Sequence, residues 1–148
     1  MLLVTFQNPM NDEELIQLAL DARTSAYARY SHFRVGAALL AASGRVYTGC
    51  NIENGAYSPT MCAERVAISS AIAAGEKYGK QGNFTTLAVA ADNAEPTTPC
   101  GVCRQVLFEL APGLRVIMVA APELGEGKLE MSVEELLPRG FRFPEGQG

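Results

Sequence analysis

Three cysteines in two separated segments constrain this chain more than any other feature. Cys62 lies in Thr60-Met61-Cys62-Ala63-Glu64-Arg65, and Cys100 and Cys103 lie in Pro99-Cys100-Gly101-Val102-Cys103-Arg104. A fold that uses them as one ligand set must bring both segments to a single point. Three thiols hold a zinc ion and leave its fourth tetrahedral position open for a water, unlike a closed structural site. Glu64, two residues past the first thiol, is placed to move protons. The signature points to hydrolytic chemistry.

The residues around each thiol predict helices over 61–74, stopped by Gly75, and 100–110, stopped by Pro112-Gly113. Cys62 and Cys100 then fall at helix starts, where unpaired N–H groups and the helix dipole favour thiolate. Cys100 and Cys103, three apart, share a face. Cys62 and Glu64, two apart, do not, so Glu64 reads as a neighbour of the metal and not a ligand. Three thiolates on Zn²⁺ leave a formal charge of about −1, which makes a bound water less acidic. Arg65, three residues after Cys62, and Arg104, directly after Cys103, are candidates to offset that charge by hydrogen bonds to sulfur.

The rest of the chain alternates helices with apolar strands. Asn11 and Glu14 form a capping box for a first helix, with Leu15, Ile16, Leu18, Ala19, Ala22 and Ala26 on one face. Residues 35–42 and 45–49 read as paired strands about a Ser43-Gly44 turn, followed by a loop over 51–60. Further strands are expected at 85–91, 115–120 and 128–131, with a polar loop over 92–99. Ser132 and Glu135 cap a brief helix that Pro138 ends. This order indicates a layered α/β domain with a mixed sheet. With 148 residues and 48% hydrophobic content, the whole chain (1–148) reads as one domain. The helix over 61–74 has no broad polar face. One side is expected on the sheet and the other against a second subunit, giving a homo-oligomer.

A net charge of −4 with scattered Lys and Arg argues against a nucleic-acid partner. No apolar stretch reaches the roughly 18 residues that cross a bilayer. Met1-Leu2-Leu3-Val4-Thr5 is too short for a signal peptide and lacks a basic start. A soluble, cytoplasmic protein is expected, with its four cysteines serving as metal ligands or buried thiols and not disulfides.

Four blocks, in this order, resemble the small cytidine deaminases of pyrimidine salvage: Tyr30-Ser31-His32-Phe33-Arg34-Val35-Gly36-Ala37-Ala38, Gly49-Cys50-Asn51-Ile52-Glu53-Asn54, Cys62-Ala63-Glu64-Arg65 and Pro99-Cys100-Gly101-Val102-Cys103-Arg104-Gln105. The resemblance implies a three-layer α/β/α sandwich around a mixed five-stranded sheet, assembled as a homotetramer with one Zn²⁺ per subunit. It implies that Cys62, Cys100 and Cys103 bind the zinc. Glu64 would shuttle protons between water, N3 of the pyrimidine and the leaving amine. The Ala63 backbone would bond the base and the Pro99 carbonyl would accept from its amino group. Asn51 and Glu53 would hold the ribose 3′-hydroxyl and Phe33 would pack on the nucleoside. Tyr57, and either Phe141 or Phe143, would reach a neighbouring subunit's site. Arg34 stands where many relatives have proline, and Gly55 where alanine is common.

Other readings stand beside this one. Cys100 and Cys103 alone would suit a thiol redox protein. Cys50 as a fourth thiolate would make a closed structural site, and otherwise reads as a buried apolar residue. Within the deaminase reading, another aminopyrimidine nucleoside such as blasticidin S is the alternative substrate. His32 reads as a loop residue, Glu53 as a plain solvated carboxylate, and Asn51 and Asn54 as turn residues. Glu64 resists a bland account, because a charge on an almost wholly apolar helix needs a partner.

Overall fold

The computed structural model describes residues 9–82 and 84–144, so Met1–Thr5 lies outside it. Helix α1 (Asp12–Arg23) opens with the full reciprocal cap. Asn11 Oδ1 accepts from the Glu14 amide at 2.9 Å, and the Glu14 carboxylate accepts from the Asn11 amide at 3.1 Å. Such a cap is worth about 1 kcal/mol. The helix is shorter than its apolar stripe implies. The amides of Thr24, Ser25 and Ala26 bond the carbonyls three residues back, of Asp21, Ala22 and Arg23, at 3.1, 3.1 and 3.2 Å, which tightens the chain out of the α-helix. Ala26, expected on the inner face, therefore lies beyond the helix.

Strands β1 (Val35–Ala41) and β2 (Val46–Cys50) form a hairpin. Gly44, at φ 84, supplies the left-handed turn conformation. Strand β3 (Phe84–Ala91) pairs antiparallel with the other edge of β1. Between the second helix and β3, a short 3₁₀ turn at Gly79–Gln81 was not anticipated from the sequence. From β3 the chain crosses through α3 (Gly101–Leu110) to β4 (Arg115–Val119), which lies parallel to β3. Strand β5 (Lys128–Ser132) closes the sheet antiparallel to β4, giving the order β2-β1-β3-β4-β5. Ser132 and Glu135 cap the last helix, α4 (Val133–Leu136), reciprocally.

Side chains alternate across this sheet because successive residues point to opposite faces. Leu39, Leu87, Val89, Val116 and Met118 face one way, into the core shared with α2 (Ala63–Ala73), α3 and α4. Ala38, Ala88, Ala90, Ile117 and Val119 face the other, against Leu15, Ile16 and Ala19 of α1. The result is the expected three-layer α/β/α sandwich on a mixed five-stranded sheet. Small residues, Gly36, Ala38, Ala88 and Ala90, stand where α1 crosses β1 and β3 because the helix lies very close there: a Cβ on Gly36 would sit 2.0 Å from the Ala19 carbonyl oxygen.

Helix α2 buries Ala63, Ala67, Ile68 and Ala71 against the sheet and leaves Ser69 and Ala73 exposed. A partly buried ion-pair network, with Arg23 and Asp92 covered and Arg34 and Glu123 half exposed, ties α1 to the segment leaving β3. Arg23 donates to Asp92 at 2.8 Å and to Glu123 at 2.6 Å, and Arg34 Nε donates to Asp92 at 2.7 Å. Among the described residues, no helix is long and apolar enough to cross a membrane.

Candidate active site

The two cysteine segments meet at neighbouring helix N-termini on the face of the sheet opposite α1. Cys62 is the N-cap of α2 and Cys100 the N-cap of α3, both extended, and Cys103 lies in the first turn of α3. Cys62 is extended because Met61 is still bridged to Ile52. The helix thus begins at Ala63 and not at 61. The three sulfurs lie within 4.8 Å of one another.

This geometry suits zinc. Zinc–sulfur bonds of about 2.3 Å at tetrahedral angles put sulfurs about 3.8 Å apart. The Cys62 and Cys100 sulfurs are 3.8 Å apart. Cys62 is already primed as a thiolate. Donation from the Cys103 thiol, helped by Arg65 and opposed by burial, lowers Cys62 to about 5. Cys103, the proton donor to Cys62 and itself buried, is pushed up. Cys50 is not part of the cluster, and burial pushes its thiol up. A closed four-thiolate site therefore lacks its fourth ligand among the described residues.

Beside the sulfurs is a cavity of about 250 Å³. Cys62, Ala63, Glu64 and Cys100 line its floor, and Phe33, Asn51 and Glu53 line its other side. Glu64 shares the cavity with Cys62 although the two are only two apart, because Cys62 precedes the helix. Only 5% of Glu64 is exposed. Burial pushes its carboxyl up, and the Cys62 thiolate adds to the effect.

Asn51 is buried and bridges the cavity wall to the start of β1. Its Oδ1 accepts from the Val35 amide and its Nδ2 donates to the Phe33 carbonyl, each at 2.8 Å. Glu53 is no plain solvated carboxylate. It accepts from the Ser31 hydroxyl and from the amides of Tyr30 and Ser31 at 2.8 and 3.2 Å. The Ser31 hydroxyl foremost, then those amides, hold its carboxyl below the usual range.

Five of the sequence-derived site residues, Cys103, Arg65, Arg104, Pro99 and Tyr57, lie off the cavity lining, and Cys103 is buried behind it. Arg65 Nη2 stands 3.7 Å from the Cys62 sulfur and 2.9 Å from the Thr60 carbonyl. Arg104 departs from the expectation that it donates to a thiolate. Its guanidinium is spent on oxygens: the Pro99 carbonyl at 2.7 Å, the Thr98 hydroxyl at 2.8 Å and the Leu136 carbonyl at 2.9 Å. Pro99 itself is fully buried, between Thr98 and Cys100 on the wall. Tyr57 is 75% exposed, at φ 60, with its ring edge-on to Tyr30. Gly55 makes room for that pair, since a Cβ there would lie 2.9 Å from the Tyr30 hydroxyl. Phe141 and Phe143 are both exposed, and His32 is an exposed loop residue at φ 56.

Sequence reasoning missed Ser31, Thr97 and Thr98 as wall residues. Ser31 sits within a quoted motif and was findable there. Thr97 and Thr98 sit in a polar loop with no local pattern.

Three thiols converging at two helix tips, beside a cavity that holds a buried carboxylate, fit the class of zinc-dependent hydrolytic enzymes. Comparison with known proteins makes this narrower. Residues 9–120 match the model of the cytidine and deoxycytidylate deaminase zinc-binding region. A cytidine deaminase of Sporosarcina psychrophila is 46% identical over 132 residues, 89% of this chain and 92% of that protein. One from Halalkalibacterium halodurans is 42% identical over 132 residues, covering 89% and 95%. The crystal structure of cytidine deaminase from Burkholderia pseudomallei superposes with a TM-score of 0.82 at 43% identity, covering 89% of this chain and all of that one. A blasticidin-S deaminase of Bacillus cereus is more distant, at 30% over 142 residues, covering 90% and 94%. The chain belongs to the cytidine and deoxycytidylate deaminase family. Its cofactor is zinc, matching the zinc-binding region and the three converging thiols.

Proposed function

We propose that this protein, acting as one catalytic domain, hydrolytically deaminates free cytidine and deoxycytidine to uridine and deoxyuridine with release of ammonia. The observation that carries this reading is Glu64, buried at the cavity floor beside the thiol cluster in a member of this family. Zinc held by Cys62, Cys100 and Cys103 supplies a Lewis acid that makes a water nucleophilic near neutral pH. Glu64 takes the proton that the water gives up, delivers it to N3 of the pyrimidine, and then serves the departing amine. Its raised pKa suits it to both accept and return a proton. Arg65 steadies the thiolate charge at Cys62.

The remaining groups orient the nucleoside. Cys62 makes no side-chain capping bond, which leaves the first amides of α2, Ala63 among them, to donate to the base. Glu53, kept ionised by Ser31, accepts from the ribose 3′-hydroxyl, and the second Nδ2 hydrogen of Asn51 donates to it. Phe33 packs on the nucleoside. The Pro99 carbonyl keeps one lone pair, beyond that bonded by Arg104, for the substrate amino group. Cytidine is favoured over blasticidin S by the 46% and 42% relatives against the 30% one.

A homotetramer in cytoplasmic pyrimidine salvage completes the reading. It is supported by the exposed aromatic rings of Tyr30, Tyr57, Phe141 and Phe143 in the single chain. In this assembly Tyr57 and a C-terminal phenylalanine meet a neighbour's site. Sedimentation equilibrium of the purified protein tests it, and a monomer at micromolar concentration would overturn it. The activity itself is tested by cytidine loss on protein of measured zinc content, beside Glu64→Ala. The variant is expected to keep its zinc and lose turnover by at least about 100-fold. Activity surviving in it would refute the assigned role.

A further inference from the structure

We infer that Arg104 is a positioning residue that sets the Thr98–Pro99 wall of the substrate cavity by anchoring it to the end of α4. The inference rests on reading this cavity as the nucleoside site. Arg104 follows Cys103 directly, and its backbone amide bonds the Cys100 carbonyl at 2.9 Å, so its Cα rides on the thiol-bearing turn. From there the guanidinium spans three acceptors on three residues. Nε reaches the Pro99 carbonyl at 2.7 Å, Nη2 the Thr98 hydroxyl at 2.8 Å, and Nη1 the Leu136 carbonyl at 2.9 Å.

Each acceptor needs what Arg104 supplies. Proline has no N–H, so the Pro99 peptide is held through its carbonyl or not at all. Leu136 ends a four-residue helix, whose last carbonyls lack partners within the helix. The planar fork of arginine fixes all three directions at once, which the single ammonium of a lysine cannot do. The next residue extends the anchor: Gln105 Nε2 donates to the Phe141 carbonyl at 3.0 Å. Thr98 and Cys100 face the cavity on either side of buried Pro99. One side chain therefore sets the distance between the wall that meets the substrate and the helix tip that carries the thiols. Arg65, with a nitrogen 3.7 Å from a sulfur, is the arginine placed to screen thiolate charge.

The test compares Arg104→Lys, Arg104→Gln, Thr98→Val and the double variant Thr98→Val/Arg104→Gln. The readouts are kcat and KM for cytidine, uridine affinity by calorimetry, and the rate of zinc transfer to a chelator. Both arginine variants are expected to raise KM and the uridine Kd about tenfold, with kcat falling by less than about threefold. Thr98→Val should add little in the Arg104→Gln background, because the two changes remove one shared bond. Unchanged KM and uridine affinity in Arg104→Lys, or effects of the two sites that simply multiply, would overturn the inference. So would a loss confined to kcat with faster zinc release, which marks a charge-screening role. A wild-type protein that holds zinc but is inert towards cytidine and deoxycytidine sinks the functional reading and this inference together. An active wild type with unmoved KM in the variants sinks the inference alone.

Discussion

A Cβ placed on Gly49 would lie 2.4 Å from the carbonyl oxygen of Ala63 and 2.7 Å from the amide nitrogen of Ala67. Strand β2 and the first turn of α2 touch backbone to backbone at this point, and that turn carries Glu64 and follows Cys62. Gly49→Ala is expected to push the helix tip away from the sheet, since neither neighbour is a flexible side chain. Overpacking of this kind costs about 1–3 kcal/mol. Thermal denaturation and zinc analysis of the variant should show a lowered Tm together with weaker zinc retention. Wild-type values of both would refute the argument.

Asn51 joins β1 to the cavity wall through two bonds to backbone groups. Asn51→Leu leaves the Val35 amide and the Phe33 carbonyl without that partner. An unpaired buried polar group costs roughly 1–3 kcal/mol. Urea denaturation should register a loss in that range, and KM for cytidine should rise as Phe33 loosens. A stability loss with unaltered KM would remove Asn51 from the sugar-binding half of the site.

Asp92 gives the fold a dependence on acid. Burial works to raise its carboxyl, but hydrogen bonds from Arg34 and the charge of Arg23 outweigh it and hold the group below its usual range. A depressed folded-state pKa means the stabilisation is full above the ordinary Asp value near pH 4 and is lost as pH falls through the folded value. The difference in Tm between wild type and Asp92→Asn should therefore be constant from about pH 5 to 7 and shrink in more acid solution. A difference independent of pH down to about 2 would show that Asp92 contributes only through packing.

Removing zinc should expose Cys62 as a reactive thiol. With its pKa at about 5, it is largely thiolate at pH 6, whereas burial holds Cys50 above the ordinary thiol range. Iodoacetamide at pH 6, followed by peptide mass mapping, should label Cys62 rapidly in the chelator-treated protein. Labelling of Cys62 should be slow in the zinc-loaded protein, and of Cys50 slow in both. Equal labelling of Cys62 with and without zinc would argue that it is not a ligand.

Local chemistry made much of this legible. The reciprocal caps at Asn11 and Ser132 involve residues three apart, and the stops at Gly75 and Gly113 need only their own positive φ. The helix-start positions of Cys62 and Cys100 followed from the same local rules, to within two residues. The inner-face pattern of α1 misled at Ala26, because from Thr24 to Ala26 the backbone amides bond three residues back and tighten out of the α-helix, a change that hydropathy does not register. Arg104 misled for another reason. Standing next to a cysteine in sequence says nothing about where a long side chain finds acceptors, and its partners are the Pro99 carbonyl, the Thr98 hydroxyl and the Leu136 carbonyl.

The sequence alone thus determined the candidate residues for the chemistry, the elements that hold them and the family they resemble, because caps, periodicity and ligand types act over a few residues. Tertiary structure decided what those residues touch. It set the order of the five strands, the close approach of Gly49 to α2 and the three donors that keep Glu53 ionised. It also assigned one arginine to sulfur and the other to the cavity wall. These depend on contacts between distant segments, where packing and the pairing of buried polar groups select the partner, and no local pattern records that selection.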